Sequence, residues 1–549
     1  MRQLRMIKAI AVLAAGHSLL FLAVGSGLAD NYPRQPAIDV QNYIFKLELK
    51  DDADVIIGET NIDVLFKNDG VTELFFDLVG KSADGKTGMT VSAVRCGDQA
   101  LGFKHEDNRL RINLGTAPEK GERRRIIVAY SGVPADGLVI GKNKNGDRSF
   151  FGDNFPDRCR YWLPVIDHPY DKSCCEFVVT APEAYQVVAN GALIETTSLP
   201  GGRRLTRTRE SVPISTYGMV IGVARFAVEV VGQVAGAPVQ SWIYAQDRDT
   251  GFADFRVAMK PMEFFSWRVG PFPYEKLANV QSKTRYGGME NASNIFYFEK
   301  IVNRTGRNEG LFAHEIAHQW FGDSVTESDW DHTWLSEGFA TYFTHVYNES
   351  TYGRDVMARD LDKDREDIIK YFTKVPKSAI VTPADAKLDN ILSTNSYEKG
   401  GWFLHMLRRL VGDEAFWKGV SLYYKRFQNA NALTEDFRHV MEEVSGKNLG
   451  VFFNQWVFTP GQPVIRGGWS YARGFLTVEI HQTQTADTVY QTALDIGIVT
   501  DRNAAPKIET VRLEKRDHAF IFKLDKEPAD VVLDPDTWLL MQFEFGKKK

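Results

Sequence analysis

The segment from His314 to His318, which reads HEIAH, carries two imidazoles and a carboxylate at a spacing that suits a metal ion. The surrounding stretch GLFAHEIAHQWFG has apolar residues at helical spacing, so His314 and His318 project from one face of a helix. Two nitrogens on one face can both reach a zinc ion at about 2.0 to 2.1 Å. Glu315 lies between them and is placed to take a proton from water at the metal. The segment therefore predicts two metal ligands and a general base.

Two histidines leave a zinc ion short of ligands, and Glu337 is the candidate for the third. In DHTWLSEGFATYF this glutamate follows His318 by nineteen positions, which is enough to finish one helix, turn through GDSVTES and begin another. Two histidines and one glutamate, with a fourth position left open, are typical of a catalytic zinc site. The alternative is an amphipathic helix whose histidines are surface groups or satisfied core groups.

The stretch GGMEN, residues 287–291, lies shortly upstream of the histidines. Its two glycines weaken a strand and an unpaired glutamate is costly in a core, so Glu290 needs another purpose. Taken alone, the stretch is typical of a turn at the end of a strand.

In chain order, GGMEN, HEIAHQWFG and WLSEGFATYF at this spacing resemble the zinc aminopeptidases of peptidase family M1. This gluzincin family includes membrane alanyl aminopeptidase and leukotriene hydrolase. The resemblance extends over nearly the whole chain after residue 29, through the stretches LPVIDHP, VVANG, STYGMVIGVARF, SYEKGG and FFNQWVFTPGQP. It implies a thermolysin-like catalytic domain and a hydrolase that removes the N-terminal residue from peptides.

The resemblance also implies a catalytic role for five residues. One zinc ion per chain is bound by His314, His318 and Glu337, and it activates the attacking water. Glu315 is the general base that takes a proton from this water and passes it to the leaving amine. The hydroxyl of Tyr397, in SYEKG, stabilises the oxyanion of the transition state.

The substrate-binding residues implied by the resemblance are those of GGMEN. The carboxylate of Glu290 binds the free α-ammonium of the peptide, which restricts cleavage to the first peptide bond. The backbones of Gly287 and Gly288 let the substrate approach closely and align it like an added strand. Met289 and Asn291 complete the substrate-binding set.

The chain departs from the family pattern at two places in this site. Ser336 stands before the ligand glutamate, where many members have asparagine. Members of the family often add a second amine-binding group, a Gln or Glu, from the β domain. The corresponding stretch GDNFPDRCRYW offers Asp153, Asn154 and Asp157 but no glutamine, so this second group is not assigned.

The elements that must position these residues change in type along the chain. Residues 30–217 contain short β-branched runs broken by turn residues, which predict an N-terminal domain resembling a β-sandwich. Residues 218–458 carry helical periodicity and predict a mainly helical catalytic domain. The β pattern returns in residues 459–549, which predict a small C-terminal β-sandwich. The expected fold class is therefore multidomain α+β.

The first residues, 1–29, have the composition of a signal peptide. Three basic residues precede an apolar run, and small residues occupy the positions before a cleavage site after Ala29. We therefore expect export to the periplasm or the exterior, with an uncleaved N-terminal membrane anchor as the alternative. In an oxidising compartment, Cys159 could pair with Cys174 or Cys175, and free buried thiols are the other possibility.

The small nominal net charge of -5 gives no indication of a nucleic-acid partner. The family resemblance implies that peptides with a free N-terminus are the partners. Two other functions compete with an aminopeptidase. A thermolysin-like endopeptidase would share the two histidines and the glutamate, but GGMEN and the spacing to Glu337 argue against it. A non-catalytic peptide-binding relative would be expected to lack a ligand or the base, and this chain keeps all of them.

Overall fold

A computed structural model describes residues 30–548 of the chain, apart from 305–307, 385–387, 389, 486–487 and 502–503. It confirms the multidomain α+β fold, with a β-rich N-terminal part, a mainly helical central part and a C-terminal β part. The predicted signal peptide lies outside the described residues, so its cleavage and the export of the chain stay predictions, as do the domain boundaries. Within the described ranges, every helix is too short or too polar to cross a membrane.

The N-terminal part consists of strands connected by turns. In chain order these are β1 (Ile38–Glu48), β2 (Ile56–Phe66), β3 (Glu73–Asp77), β4 (Gly88–Cys96), β5 (Gln99–Ala100), β6 (Gly102–Glu106), β7 (Arg109–Asn113), β8 (Arg123–Val133), β9 (Leu138–Lys142), β10 (Arg148–Gly152), β11 (Ser173–Pro182), β12 (Gln186–Ala189), β13 (Ala192–Leu199), β14 (Arg203–Ile214) and β15 (Ile221–Ala224).

These strands form a large sheet and two smaller ones around a shared core. The large sheet has the order β13-β14-β11-β1-β2-β8-β4-β5, and the smaller sheets have the orders β12-β15-β10-β9 and β3-β7-β6. Side chains alternate between buried and exposed positions along β1, as expected when one face of a sheet covers a core. All four cysteines carry free thiols, and Cys159 and Cys175 are fully buried in this core.

The central part combines helices with a mixed sheet. Its strands are β16 (Phe226–Val234), β17 (Ala237–Tyr244), β18 (Leu277–Ser282), β19 (Gly288–Met289), β20 (Asn294–Phe298), β21 (Val325–Glu327) and β22 (Ala430–Ala432). Its helices are α1 (Arg248–Phe255), α2 (Met259–Arg268), α3 (Glu309–His318), α4 (Trp334–Tyr352), α5 (Arg354–Lys374), α6 (Gly400–Val411), α7 (Asp413–Phe427), α8 (Thr434–Ser445) and α9 (Gly450–Phe453).

The mixed sheet of the central part has the order β16-β17-β18-β20-β19. Strands β17, β18 and β20 run parallel, while β19 pairs antiparallel with β20 at the edge of the sheet. Every residue of β18 is buried, so this strand has none of the alternation that marks a half-exposed strand. Edge strand β19 consists of the second and third residues of GGMEN, and it places this motif next to α3.

The C-terminal part forms two small sheets whose apolar side chains continue the core of the central part. Its strands are β23 (Val464–Ala472), β24 (Phe475–Gln482), β25 (Thr492–Val499), β26 (Lys507–Leu513), β27 (Asp517–Lys523), β28 (Asp530–Leu533) and β29 (Gln542–Lys547). The sheets have the orders β27-β24-β23-β29 and β26-β25-β28.

A half-buried lysine, Lys172, joins the N-terminal part to the turn that follows α3. The Nζ of Lys172 donates hydrogen bonds at 2.8 to 2.9 Å to the carbonyls of Asp323 and Ser324 and to Oγ1 of Thr326. Because these acceptors lie between α3 and α4, the lysine holds the connection between the two helices that carry the predicted metal ligands.

Helices α4 and α6 approach each other closely through a pair of glycines. A Cβ atom added to Gly338 would lie 2.9 Å from the backbone carbons of Gly400. Only residues without a side chain permit this approach. It brings Glu337, which precedes Gly338, to the turn that precedes α6.

We expect Gly338→Ala to lower the free energy of unfolding by about 1 to 3 kcal/mol, because the added methyl group forces the two backbones apart. Guanidinium denaturation followed by tryptophan fluorescence would measure the change. The control is Gly310→Ala in α3, where no atom outside the neighbouring helical backbone lies within 4 Å of the added Cβ. This substitution should leave stability unchanged or raise it by about 0.5 to 1 kcal/mol. Equal effects of the two substitutions would contradict the role of the glycine pair.

Candidate metal centre

Helices α3 and α4 bring the three predicted metal ligands together. The Nε2 atoms of His314 and His318 are 3.1 Å apart, and Oε2 of Glu337 lies 3.4 Å and 3.2 Å from them. Ligands at about 2.0 to 2.1 Å from a tetrahedral zinc ion are separated by about 3.3 to 3.4 Å. The three atoms therefore fit one face of a zinc coordination tetrahedron.

The ring of His318 is oriented so that Nε2 can act as a ligand. Its Nδ1 lies 3.2 Å from the backbone carbonyl of Phe321 and 3.0 Å from Oγ of Ser336. A carbonyl can only accept, so Nδ1 carries the hydrogen and Nε2 is left to bind a metal. Oε2 of Glu337 is buried and accepts no hydrogen bond, which also suits a metal ligand.

The charges around these ligands favour a cation. Burial, with a contribution from the Glu337 carboxylate, raises the pKa of Glu290 to about 7, and burial also raises the pKa of Glu315. Burial by itself lowers the pKa of His318, but Glu337 and Glu290 outweigh this effect and raise the pKa to about 10. Three buried carboxylates thus surround a single positive charge, the proton that His318 keeps at this raised pKa. A divalent ion would supply the positive charge in place of that proton.

The predicted general base lies against the backbone of edge strand β19. A Cβ atom added to Gly288 would be 2.2 Å from Oε1 of Glu315. The missing side chain at Gly288 therefore makes room for this carboxylate beside the metal ligands. Glu315 itself is 5% exposed, and its exposed part faces the same cavity as the histidines.

Tyr397 reaches the metal centre from a π-helical turn, Asn395–Lys399, just before α6. Its hydroxyl donates a hydrogen bond of 2.7 Å to Oε1 of Glu337, and its ring stacks on that of His314 with a centroid distance of 6.0 Å. Burial and the Glu337 carboxylate raise the pKa of Tyr397, so the phenol remains a donor. Turns of this kind often occur at functional sites because they shift a side chain relative to a regular helix.

All these groups line one cavity of about 350 Å³ between the N-terminal and central parts. Its lining includes the three predicted metal ligands and Glu315, together with Gly287, Gly288, Met289 and Glu290. The remaining lining residues are Phe155, Tyr286, Leu311, Leu392 and Tyr397.

Comparison with known proteins identifies the family. Residues 40–217 match the peptidase M1 N-terminal domain and residues 254–456 match the peptidase family M1 domain, together more than half of the chain. The chain belongs to peptidase family M1. Its fold is similar to that of a variant of the M1 zinc metallopeptidase from Deinococcus radiodurans, with a TM-score of 0.65 and 24% sequence identity. This match covers 78% of the present chain and 95% of the other.

Several M1 relatives are named as aminopeptidases. The probable aminopeptidase 2 of Sulfurisphaera tokodaii is 26% identical over 440 residues, which cover 74% of this chain and 54% of that protein. The glutamyl aminopeptidase of Mus musculus is 26% identical over 329 residues, which cover 57% of this chain and 35% of that protein. This M1 chain therefore spans about half of the first relative and about a third of the second.

One of the predicted substrate-binding residues of this M1 site lies outside the cavity lining. Asn291 is fully buried and does not line the cavity; its Nδ2 lies 3.5 Å from the carbonyl of Met289. In the stretch GDNFPDRCRYW, where no second amine-binding group was assigned, the acidic residues also lie outside the cavity lining. Asp153 pairs with Arg285, and Asp157 pairs with Arg160.

Sequence reasoning missed the apolar wall of the cavity. Phe155 comes from the same stretch of the β domain that was searched for a second polar group, and Leu311 lies one turn before His314. The helical period could have placed Leu311 near the metal face. No local pattern marks Phe155, Tyr286 or Leu392, because they meet the cavity only through packing between distant segments.

We expect Ser336→Ala to weaken zinc binding by about tenfold, because the ring of His318 loses one of the two groups that orient it. Competition with a chromophoric chelator would measure the affinity. Ser421→Ala is the control, since its hydroxyl donates to the Val269 carbonyl in a distant part of α7. Unchanged zinc affinity in Ser336→Ala would mean that the Phe321 carbonyl is sufficient to orient His318.

Proposed function

We propose that this chain is a zinc aminopeptidase, which binds one zinc ion and hydrolyses the first peptide bond of peptides with a free N-terminus. The proposal depends chiefly on Glu290. Its carboxylate lines the cavity beside the metal ligands, and one ligand atom each of Glu290, Glu315 and His318 lie within 4.8 Å of one another. An anionic group at this short distance suits an α-ammonium whose neighbouring carbonyl lies at the metal. The names of the relatives support the same activity.

Substrate binding follows from the position of edge strand β19. Because β19 ends the sheet, its outer backbone groups can pair with an extended peptide. Glu290 then binds the ammonium with a charge-assisted hydrogen bond and fixes the distance to the scissile carbonyl. An internal segment of a long chain has no ammonium to offer, which favours an exopeptidase over an endopeptidase.

Zinc held by His314, His318 and Glu337 would polarise the scissile carbonyl and lower the pKa of water. Glu315 takes a proton from the attacking water and later gives it to the nitrogen of the leaving amine. Tyr397 turns its hydroxyl from Glu337 towards the substrate oxygen and donates a hydrogen bond as negative charge develops there. Each protein group thus has one task within the same cavity.

The protein should hydrolyse aminoacyl 4-methylcoumarin amides with a free amine and leave their N-acetylated counterparts intact. Glu315→Gln should lower kcat by about a hundredfold to ten-thousandfold while zinc content, measured by mass spectrometry, is retained. Glu309→Gln on the same helix is the control, because Glu309 accepts hydrogen bonds from Tyr347 and Tyr352 outside the cavity. Cleavage of acetylated peptides would identify an endopeptidase instead, and bound zinc without turnover would favour a binding role.

The lining of the cavity favours an apolar first residue. Phe155, Met289, Leu311 and Leu392 present carbon to the substrate, and no lysine or arginine occurs among the described lining residues. A glutamate side chain would lose its hydration there without gaining a cation. This chain should therefore differ in preference from the relatives named glutamyl aminopeptidase.

In the same fluorogenic assay, kcat/KM for leucine and methionine amides should exceed that for the glutamate amide by at least about tenfold. The reason is the cost of burying an unpaired carboxylate, which amounts to more than about 1.4 kcal/mol. A glutamine amide is the control for size and polarity without charge. Preference for the glutamate amide would contradict the apolar pocket.

A further inference from the structure

Gln319 directly follows the second metal-binding histidine, and its side chain is fully buried. Its Nε2 donates hydrogen bonds of 2.7 Å to the backbone carbonyl of Glu290 and to Oδ2 of Asp323. Its Oε1 accepts a hydrogen bond of 2.8 Å from the backbone N–H of Ser293. Both N–H groups and the carbonyl oxygen of this amide are therefore used, and two of the three bonds go to the loop that carries Glu290.

Two of these contacts hold opposite ends of the same short loop. Glu290 directly follows β19, and Ser293 directly precedes β20. Ser293 adopts a left-handed conformation with φ of 61°, which is unfavourable for a residue with a side chain. Its Oγ also donates to Oε2 of Glu210 at 2.8 Å. The loop is thus held in one conformation by contacts from outside the hairpin.

We propose that Gln319 is a positioning residue that sets the place of the Glu290 carboxylate relative to the metal ligands. A substrate must reach Glu290 with its ammonium and the metal with its carbonyl at the same time, so the separation of the two must be fixed. Gln319 links the loop that carries Glu290 to the end of the helix that carries His314 and His318. Asp323 holds the amide from the other side and keeps Nε2 directed at the Glu290 carbonyl.

The metal ligands themselves have independent support. His318 is oriented by Phe321 and Ser336, and Glu337 accepts from Tyr397. Loss of the Gln319 amide should therefore displace Glu290 and leave zinc binding unchanged. A displacement of about 1 Å can cost up to about a hundredfold in an interaction that depends on alignment. The effect should appear only with ligands that carry an amine.

This inference rests on the proposed function, and a pair of inhibitors tests the two separately. L-Leucine hydroxamate and 4-methylpentanohydroxamic acid both chelate zinc, and they differ only in the α-amine. We would measure their Kd values by calorimetry with zinc-loaded protein. In the wild type, the hydroxamate with the amine should bind at least about tenfold more tightly. Equal affinities in the wild type would contradict amine recognition by Glu290 and with it the proposed function.

Gln319→Met removes the amide at similar size. We expect it to reduce the preference for the amine by about tenfold or more, with the Kd of 4-methylpentanohydroxamic acid and the zinc content unchanged. Gln319→Asn is a second variant, which keeps the site polar but is too short to reach both ends of the loop, and the same loss is expected. An unchanged preference in a folded variant overturns the inference while the proposed function stands. Equal weakening of both hydroxamates also overturns it, because the role would then be to support the metal site.

Gln281 provides a matched control. It is also fully buried, its Nε2 donates to Oδ2 of Asp247 at 2.7 Å and to the Glu299 carbonyl at 3.0 Å, and its Oε1 accepts from the Tyr244 N–H at 3.0 Å. Gln281→Met removes the same set of hydrogen bonds from a part of the central sheet outside the cavity. It should lower stability to a similar extent and leave the preference for the amine intact. The same loss of preference in Gln281→Met would show that general destabilisation, not positioning, explains the result.

Discussion

The rest of the site depends on a surplus of buried negative charge. Glu290, Glu315 and Glu337 share one cavity with two imidazoles, and all three carboxylates are almost inaccessible to water. Burial of a charge is costly unless an opposite charge compensates it. One carboxylate would satisfy this requirement as a metal ligand, and the second would do so by binding an ammonium. The third remains next to both, where a base is needed.

Close backbone approaches at glycines bring these groups together. Gly288 gives Glu315 its space, and the glycine pair of α4 and α6 brings Glu337 to Tyr397. Gln319 fixes the segment before α3 and Lys172 fixes the segment after it, each through hydrogen bonds to backbone groups. The buried polar contacts therefore act on the backbone of the site more than on its reactive side chains, which leaves those side chains available to a substrate.

The rest of the cavity lining is mainly apolar or aromatic. At the stretch of the β domain where a polar amine-binding group was sought, the structure presents the ring of Phe155. In the proposed function, recognition of the substrate amine would then depend on Glu290 alone among the described lining residues. With a single carboxylate for the amine, the position of that carboxylate must be fixed more accurately. The several hydrogen bonds to the loop that carries it serve this purpose.

The sequence by itself determined the parts of this protein that depend on local spacing. The helix with His314 and His318 follows from a period of about 3.6 residues, and the β, helical and β order follows from a change of period along the chain. The M1 family could be recognised from the same motifs. The central mixed sheet was not predicted, because strands such as β18 are buried on both faces and lack alternation.

Tertiary structure alone decided which distant residues meet at the site. The contact between Tyr397 and Glu337, the hydrogen bonds of Gln319 to the Glu290 loop, and the apolar lining by Phe155 each join segments that no local period connects. Such contacts arise when helices and sheets pack, so their identity depends on the whole core and not on the neighbouring residues. The chemistry was therefore readable from spacing, whereas the alignment and the specificity of the cavity were not.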